Sequence, residues 1–385
     1  MIDRFLALVR RLYPGRDSVG LHEPRISDRD KAYVLDSLES GYVSSIGEYV
    51  SQFEEAFARF CGAKYAVATS SGTAALHIAL LTANVSRGHE VLTQSLTFVA
   101  TANAIRYCGA YPVFIDVEAN QLTLCPNALE DYLTRNTKID AAGRLLNNTT
   151  GRVISAVLPV HTFGQTGSIK RISEICIKFN LQLIEDAAEA VGSYNNGVHA
   201  GNYGALSAFS FNGNKIMTTG GGGMVITNSE KLARRARHLS TTARLADRWK
   251  FVHDEVGFNY RLPNINAALG LAQLEDISNS IEGKRKLASF YQEWAKREGI
   301  EIVSDSSDSC SNYWLNTLVL ADQQTRNAFL EATNSRGIEC RPAWEPMHTL
   351  DMNRDCHHHG LPVTEWMASR IVNVPSGLKG LVVEN

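Results

Sequence analysis

Asp186 and Lys215 are the two residues whose types and surroundings point most directly to chemistry. Asp186 closes the stretch Gln182-Leu183-Ile184-Glu185-Asp186, an apolar run that ends on two acids. The ends of strands in an α/β sheet are where ligand groups gather. Lys215 follows a second apolar run, Ala205-Leu206-Ser207-Ala208-Phe209-Ser210-Phe211, and the glycines Gly220 to Gly223 come directly after it. An acid at one strand end and a lysine after the next can share one cleft. An aldehyde cofactor held as a lysine Schiff base requires this pair: an amine to bond, and a carboxylate against a pyridinium nitrogen.

A further stretch fits the same chemistry. Ala66-Val67-Ala68-Thr69 reads as a strand, Ser70-Ser71-Gly72-Thr73 as a turn, and Ala74 to Leu81 as a helix. A strand, a small-residue turn and a helix start present free N–H groups and a positive dipole end, which suits a phosphate, although Ser-Gly-Thr is also an ordinary helix cap. Glu189 lies one helical turn past Asp186.

Taken together, Ile184-Glu185-Asp186-Ala187-Ala188-Glu189 and Ser210-Phe211-Asn212-Gly213-Asn214-Lys215 resemble the DegT/DnrJ/EryC1/StrS family of pyridoxal-phosphate sugar aminotransferases. The likeness runs from about Leu21 to about Ser376. Within the family it is nearest to the branch that aminates C4 of a UDP-linked keto sugar toward legionaminic acid. The resemblance implies an α/β fold of fold-type I, aspartate aminotransferase-like, with a mostly parallel mixed sheet in a large domain and a smaller C-terminal α+β domain. It makes Lys215 catalytic and gives Gly72, Thr73 and Ser210 the cofactor phosphate. Phe98 then stacks on the pyridine ring, Asp186 meets the ring nitrogen and Glu189 the phenolic oxygen. Many relatives carry Gln at the last place. Asn259, in Val256-Gly257-Phe258-Asn259-Tyr260-Arg261, would reach the partner's cofactor phosphate, implying a homodimer with shared active sites. His161, Tyr313, Arg341 and Trp344 are weaker candidates for lining the substrate space. The sugar-dehydratase branch replaces the lysine with histidine, so Lys215 argues for transamination, with L-glutamate as donor and a keto sugar as acceptor. The cofactor would alternate between its pyridoxal and pyridoxamine phosphate forms.

These residues need elements to hold them. Alternating strand and helix patterns from 66 to 228 imply a parallel sheet with right-handed crossovers. We expect a cofactor-binding domain over 20–265 with helix 1–12 packed alongside it. A linking helix and small domain then occupy 266–385. Ser27 should cap a helix carrying Val34, Leu35 and Leu38 on one face, and one long helix should run from Ala267 to about Tyr291. Residues 117–152 are hard to read beyond a helix near Leu129, and Asp116 reads as a strand-ending cap. His357-His358-His359 reads as an exposed polar loop, with no second ligand cluster to suggest a metal.

Composition bounds the alternatives. The chain has 385 residues, 44% hydrophobic and 20% charged, with a net charge of −2. That balance gives no electrostatic reason to expect nucleic acid or an anionic membrane as partner. Seven scattered cysteines without a C-x-x-C pair fit reduced thiols, and so a cytoplasmic protein. A sugar-acid aldehyde, such as an 8-oxo octulosonate, is an alternative acceptor, and a silent cofactor- or sugar-nucleotide-binding regulator is an alternative of another class. A dinucleotide-binding dehydrogenase is disfavoured: Gly220 to Gly223 lacks the G-x-G-x-x-G order and leads into a strand, not a helix.

Overall fold

The structure, a computed structural model, describes residues 1–382; the last three residues of the expected 266–385 unit lie outside the described residues. Its centre is a seven-stranded sheet. In spatial order the strands are Tyr65–Thr69, Gly223–Thr227, Leu206–Ser210, Gln182–Asp186, Ile154–Leu158, Glu90–Gln94 and Tyr111–Ile115. Six run parallel, and Gly223–Thr227 alone is antiparallel to both its neighbours. The strands are apolar on both faces because helices cover both, as parallel sheets require.

One helix is enclosed almost entirely. Gly72–Thr82 buries all its residues but Thr73 and Leu81, packing Leu76, Ile78 and Leu80 among Val67, Ile184, Leu206 and Val225 of the sheet. A helix apolar all round belongs inside, and each of those three side chains contributes about 1.5–3 kcal/mol by burial. The helix that starts at Gly72 is therefore among the most firmly seated elements of the fold.

A second sheet, ordered Glu301–Ile302, Asn316–Val319, Ile371–Val374, Arg341–Pro342, lies in the C-terminal part. Helix Ile2–Leu12 belongs with it, not beside the 20–265 region as expected. Phe5, Leu8, Val9 and Leu12, spaced for one helical face, bury against Leu287, Trp294, Leu318, Phe329 and Val372. The spacing announces a buried stripe but not which partner covers it, and the matching surface comes from Leu287 to Val372, far along the chain.

Other expectations change in similar ways. The long helix is two, Asn264–Glu275 and Ile277–Glu298, broken at Asp276. Leu269 and Leu271 are only half-buried. Ser27 does cap helix Asp28–Glu39, reciprocally with Asp30, but Leu35 and Leu38 on that helix are exposed. Asp116 caps a helix remote in sequence: its carboxylate accepts the N–H groups of Val363 and Thr364 at the start of Pro362–Ala368. His357–His359 is not a free loop. Phe114 N–H donates to the His357 carbonyl and His359 N–H to the Phe114 carbonyl, so this run covers the edge of the large sheet. The unreadable stretch holds helix Pro126–Arg135 and the hairpin Thr137–Ile139/Leu145–Asn147, tied down where Asn147 and Thr150 donate to buried Glu90.

No helix among the described residues is long and apolar enough to cross a membrane.

Candidate active site

A cavity of about 330 Å³ opens at the carboxyl ends of the parallel strands, where open α/β sheets bind ligands. Lys215, Asp186, Glu189, Gly72, Thr73, Ser210, Phe98 and Trp344 all line it. Eight of the twelve residues singled out from sequence are thus brought together.

Asp186 ends its strand with its backbone held on both sides, its N–H donating to Pro159 and its carbonyl accepting from His161 N–H. Its carboxylate accepts from Thr101 Oγ1 at 2.7 Å and from Ala188 N–H at 3.2 Å. Burial pushes the carboxyl above its ordinary value, and the Thr101 hydrogen bond only partly opposes this. Among the described residues no cationic side chain hydrogen-bonds it. A buried carboxylate with neutral donors alone is completed by a cation, and a pyridinium N–H supplies one.

The phosphate end fits equally. Ser71 Oγ accepts the Ala74 N–H, so the helix is capped while the Gly72 and Thr73 N–H groups, first in the helix, have no intrahelical acceptor. Two glycines keep this corner open. A Cβ on Gly72 would stand 2.7 Å from the Cβ of Ser210, and one on Gly223 would strike the Ser71 carbonyl and lie 2.8 Å from Gly72 N. Gly223 is paired with Thr69 on one side and Ser210 on the other, so the antiparallel strand brings all three strand ends together.

Lys215 Nζ lies 3.1 Å from Glu189 Oε1 and 3.8 Å from the centroid of the Trp314 ring. Glu189 Oε2 accepts the N–H of Phe163, a residue in the left-handed region at φ 56°. Burial raises the Glu189 carboxyl, against the pull of the Lys215 charge. Phe98, half-exposed, and Phe163 both pack on Trp344, with ring centroids 6.1 and 4.9 Å apart. Aromatic faces therefore line one side of the cavity.

Four expected residues do not line it. His161 is buried behind Asp186, its Nε2 bonded at 2.8 Å to Glu185. Glu185 also accepts three backbone N–H groups, from Gly201, Tyr203 and Gly204. Burial alone would raise its carboxyl, but the His161 bond and these N–H groups hold it below the usual value. Tyr313 is turned away at φ 46°, its hydroxyl engaged with Gln292 and Asp305. Arg341 sits exposed on the edge of the small sheet, paired with Glu339. Asn259 is exposed and accepts from Arg261 within its own loop.

Two residues at the site escaped the sequence reading. Trp314 lies just before the strand Asn316–Val319, and its Nε1 donates to the Asn214 carbonyl, next to Lys215. No local signal marks it. Thr101 had one: Thr97 and Thr101 are four apart, on one face of the helix start, and their hydroxyls are 2.8 Å apart.

The chain belongs to the DegT/DnrJ/EryC1/StrS aminotransferase family, which it matches over residues 24–379. It is 34% identical over 362 residues to a GDP-perosamine synthase of Caulobacter vibrioides, 93% of each chain. It is 36% identical to the putative pyridoxal phosphate-dependent aminotransferase EpsN of Bacillus subtilis, covering 93% of this chain and 90% of that one. Among solved structures, a DegT DnrJ EryC1 StrS aminotransferase from Brucella abortus superimposes with a TM-score of 0.82 at 27% identity, over 91% of this chain and 90% of that one. The chain is accordingly a pyridoxal-phosphate-dependent sugar aminotransferase of fold-type I.

Proposed function

We propose that this enzyme transfers the amino group of L-glutamate to the C4 carbonyl of a nucleoside-diphosphate-linked 4-keto-6-deoxy sugar, for surface polysaccharide or nonulosonate synthesis in the cytoplasm. The observation that carries the reading is the placement of Lys215 and the buried Asp186 in one cavity with the Gly72–Thr73 helix start. When bound, pyridoxal phosphate supplies an aldehyde that exchanges amines and a ring that stores the electrons of a substrate carbanion.

The chain's own residues do the rest. Asp186 would accept the ring N–H and keep that nitrogen protonated. Gly72, Thr73 and Ser210 would bind the phosphate, Phe98 would cover the ring face, and Glu189 would face the phenolic oxygen. Lys215 Nζ would take the proton from the donor α-carbon and pass it to the cofactor rather than back to that carbon, a step at which a positioned base contributes about 10²–10⁴-fold. Asn259, exposed here, would serve the site of a second copy, with residues 20–265 and 266–385 acting as two units around the cavity.

The motifs resemble most those of the branch that aminates a UDP-linked N-acetylhexosamine toward legionaminic acid, which supports UDP as the nucleotide. A second reading, GDP, is favoured by relatives named GDP-perosamine synthase at 34–35% identity. Absorbance spectra separate them. Purified enzyme should show a band near about 410–430 nm that moves to about 330 nm with L-glutamate. Its return with a UDP- or a GDP-linked 4-keto-6-deoxy sugar identifies the acceptor. Return only with a sugar-acid aldehyde overturns the nucleotide-sugar reading.

A further inference from the structure

The contact between Glu189 and Lys215 does more than hold the lysine in place. Both side chains are largely enclosed, that of Glu189 5% exposed and that of Lys215 13%. Glu189 Oε2 is committed to the Phe163 N–H at 2.7 Å, which aims Oε1 at Nζ, 3.1 Å away. The third side of the amine is the Trp314 ring. A π face attracts an ammonium but offers a neutral amine no hydrogen bond that it loses on deprotonation.

This geometry suits either position of one shared proton. As an ion pair, Lys215 donates to the Glu189 carboxylate. As a neutral pair, Glu189 Oε1–H donates to the Lys215 lone pair, while Oε2 keeps accepting from Phe163. No hydrogen-bond partner changes. Burial disfavours two separate charges and raises the Glu189 carboxyl above its ordinary value, against the pull of the Lys215 charge.

We propose that Glu189 is a catalytic acid–base residue that exchanges a proton with Lys215, releasing the neutral amine without taking a proton from or giving one to solvent. The balance is simple: one N–H bond of the ammonium breaks, its electron pair stays on nitrogen, and one O–H bond forms on Oε1. The reverse restores the ion pair. The proposal rests on Lys215 being the nucleophilic and proton-carrying amine of the proposed function.

Other charged groups face this pair. Asp186 lies on the neighbouring strand end, His161 behind it, His22 before helix Asp28–Glu39, and Lys284 on helix Ile277–Glu298. Lys284 donates to the Trp314 and Ser376 carbonyls and so stays with the backbone. None of these is hydrogen-bonded to Lys215, so Glu189 is the group through which the amine can exchange a proton directly.

The test uses full-length, cofactor-free protein and two readouts. One is the rate at which added pyridoxal phosphate develops its lysine-bound absorbance band. The other is acylation of Lys215 by a small amine-reactive ester, followed by mass spectrometry of the peptide. For a shared proton, both rates in the wild type should be nearly flat from about pH 6.5 to 8.5, because the pair keeps its proton count across that range. In Glu189→Gln the rates should rise about tenfold per pH unit, as for an isolated amine. Glu189→Asp, which keeps the acid, should restore part of the plateau; circular dichroism checks that each variant is folded. Equal slopes in wild type and Glu189→Gln overturn the proposal. Differing acylation slopes with no absorbance band would uphold the shared proton and instead refute the proposed function.

Discussion

The Trp314 ring sits 3.8 Å from Lys215 Nζ and donates through its own Nε1 to the carbonyl of Asn214, the residue beside that lysine. One side chain from the C-terminal part thus fixes both the amine and the backbone that carries it. The small sheet's strand Asn316–Val319 begins two residues later, so the position of Lys215 depends on how the two sheets are seated.

Replacing Trp314 should separate these roles. Trp314→Phe keeps an aromatic face and loses the Asn214 bond, with an expected stability cost of about 1 kcal/mol and a modest loss in kcat. Trp314→Ala also opens a cavity and should cost about 3–5 kcal/mol. Urea denaturation with steady-state kinetics measures both; identical kcat in the two variants would show that the ring face does not matter to the lysine.

Gly223→Ala should damage cofactor binding from a residue that need not touch the cofactor. Its Cβ would strike the Ser71 carbonyl and crowd Gly72 N, and backbone cannot swing aside as a side chain can. We expect pyridoxal phosphate affinity to fall by at least about tenfold, a loss of 1.4 kcal/mol, read by fluorescence titration. Undiminished affinity would mean that the turn tolerates displacement.

The buried Glu185 should make the fold acid-sensitive. Its carboxyl is held below the usual value in the folded state. The stability it contributes is therefore present above the unfolded-state value of about 4.3 and is lost as pH falls through the lower folded value. Glu185→Gln sets an amide N–H₂ against three N–H donors and His161, and should cost about 3–5 kcal/mol at pH 7. Urea unfolding at pH 7 and near pH 4 should show the gap between variant and wild type narrowing with acid. A gap independent of pH would remove the ionised carboxylate from the account.

Asp186 should behave in the opposite sense. Burial raises its carboxyl, so the folded protein binds the proton more tightly and loses stability as pH rises from about 4 through the raised value. In cofactor-free protein at pH 7, Asp186→Asn should therefore raise Tm, with the difference vanishing at low pH. In the presence of cofactor the same change should lower kcat by about a hundredfold or more, because the ring nitrogen loses its anionic partner. Differential scanning fluorimetry and turnover assays give the two signs; a Tm that falls in the cofactor-free variant would contradict the unsatisfied-acid argument.

Arg341→Ala should leave kcat/KM within about twofold, since its guanidinium is exposed and bound to Glu339 away from the cavity. Exposed pairs of this kind contribute about 0–1 kcal/mol. A large rise in KM would place Arg341 on the substrate of a neighbouring copy.

By itself the sequence determined the elements that carry Gly72, Asp186 and Lys215. Strand, turn and helix around Gly72, the acid at Asp186 and the lysine after Ser210 are local patterns, written in side-chain periodicity, caps and glycines that act over a few residues. Those local rules also placed Ser27 as a cap. Only the tertiary structure decided what meets what across hundreds of residues. It seated helix Ile2–Leu12 on the C-terminal sheet, laid His357–His359 along the edge strand, and gave Asp116 a helix to cap near residue 363. It set Trp314 against Lys215 and turned Tyr313 and Arg341 away. The physical reason is the same in each case. A buried stripe, a polar side chain or a strand edge states what must be satisfied, but burial is non-directional, so the chain's own sequence does not say which distant segment will satisfy it until the elements are packed.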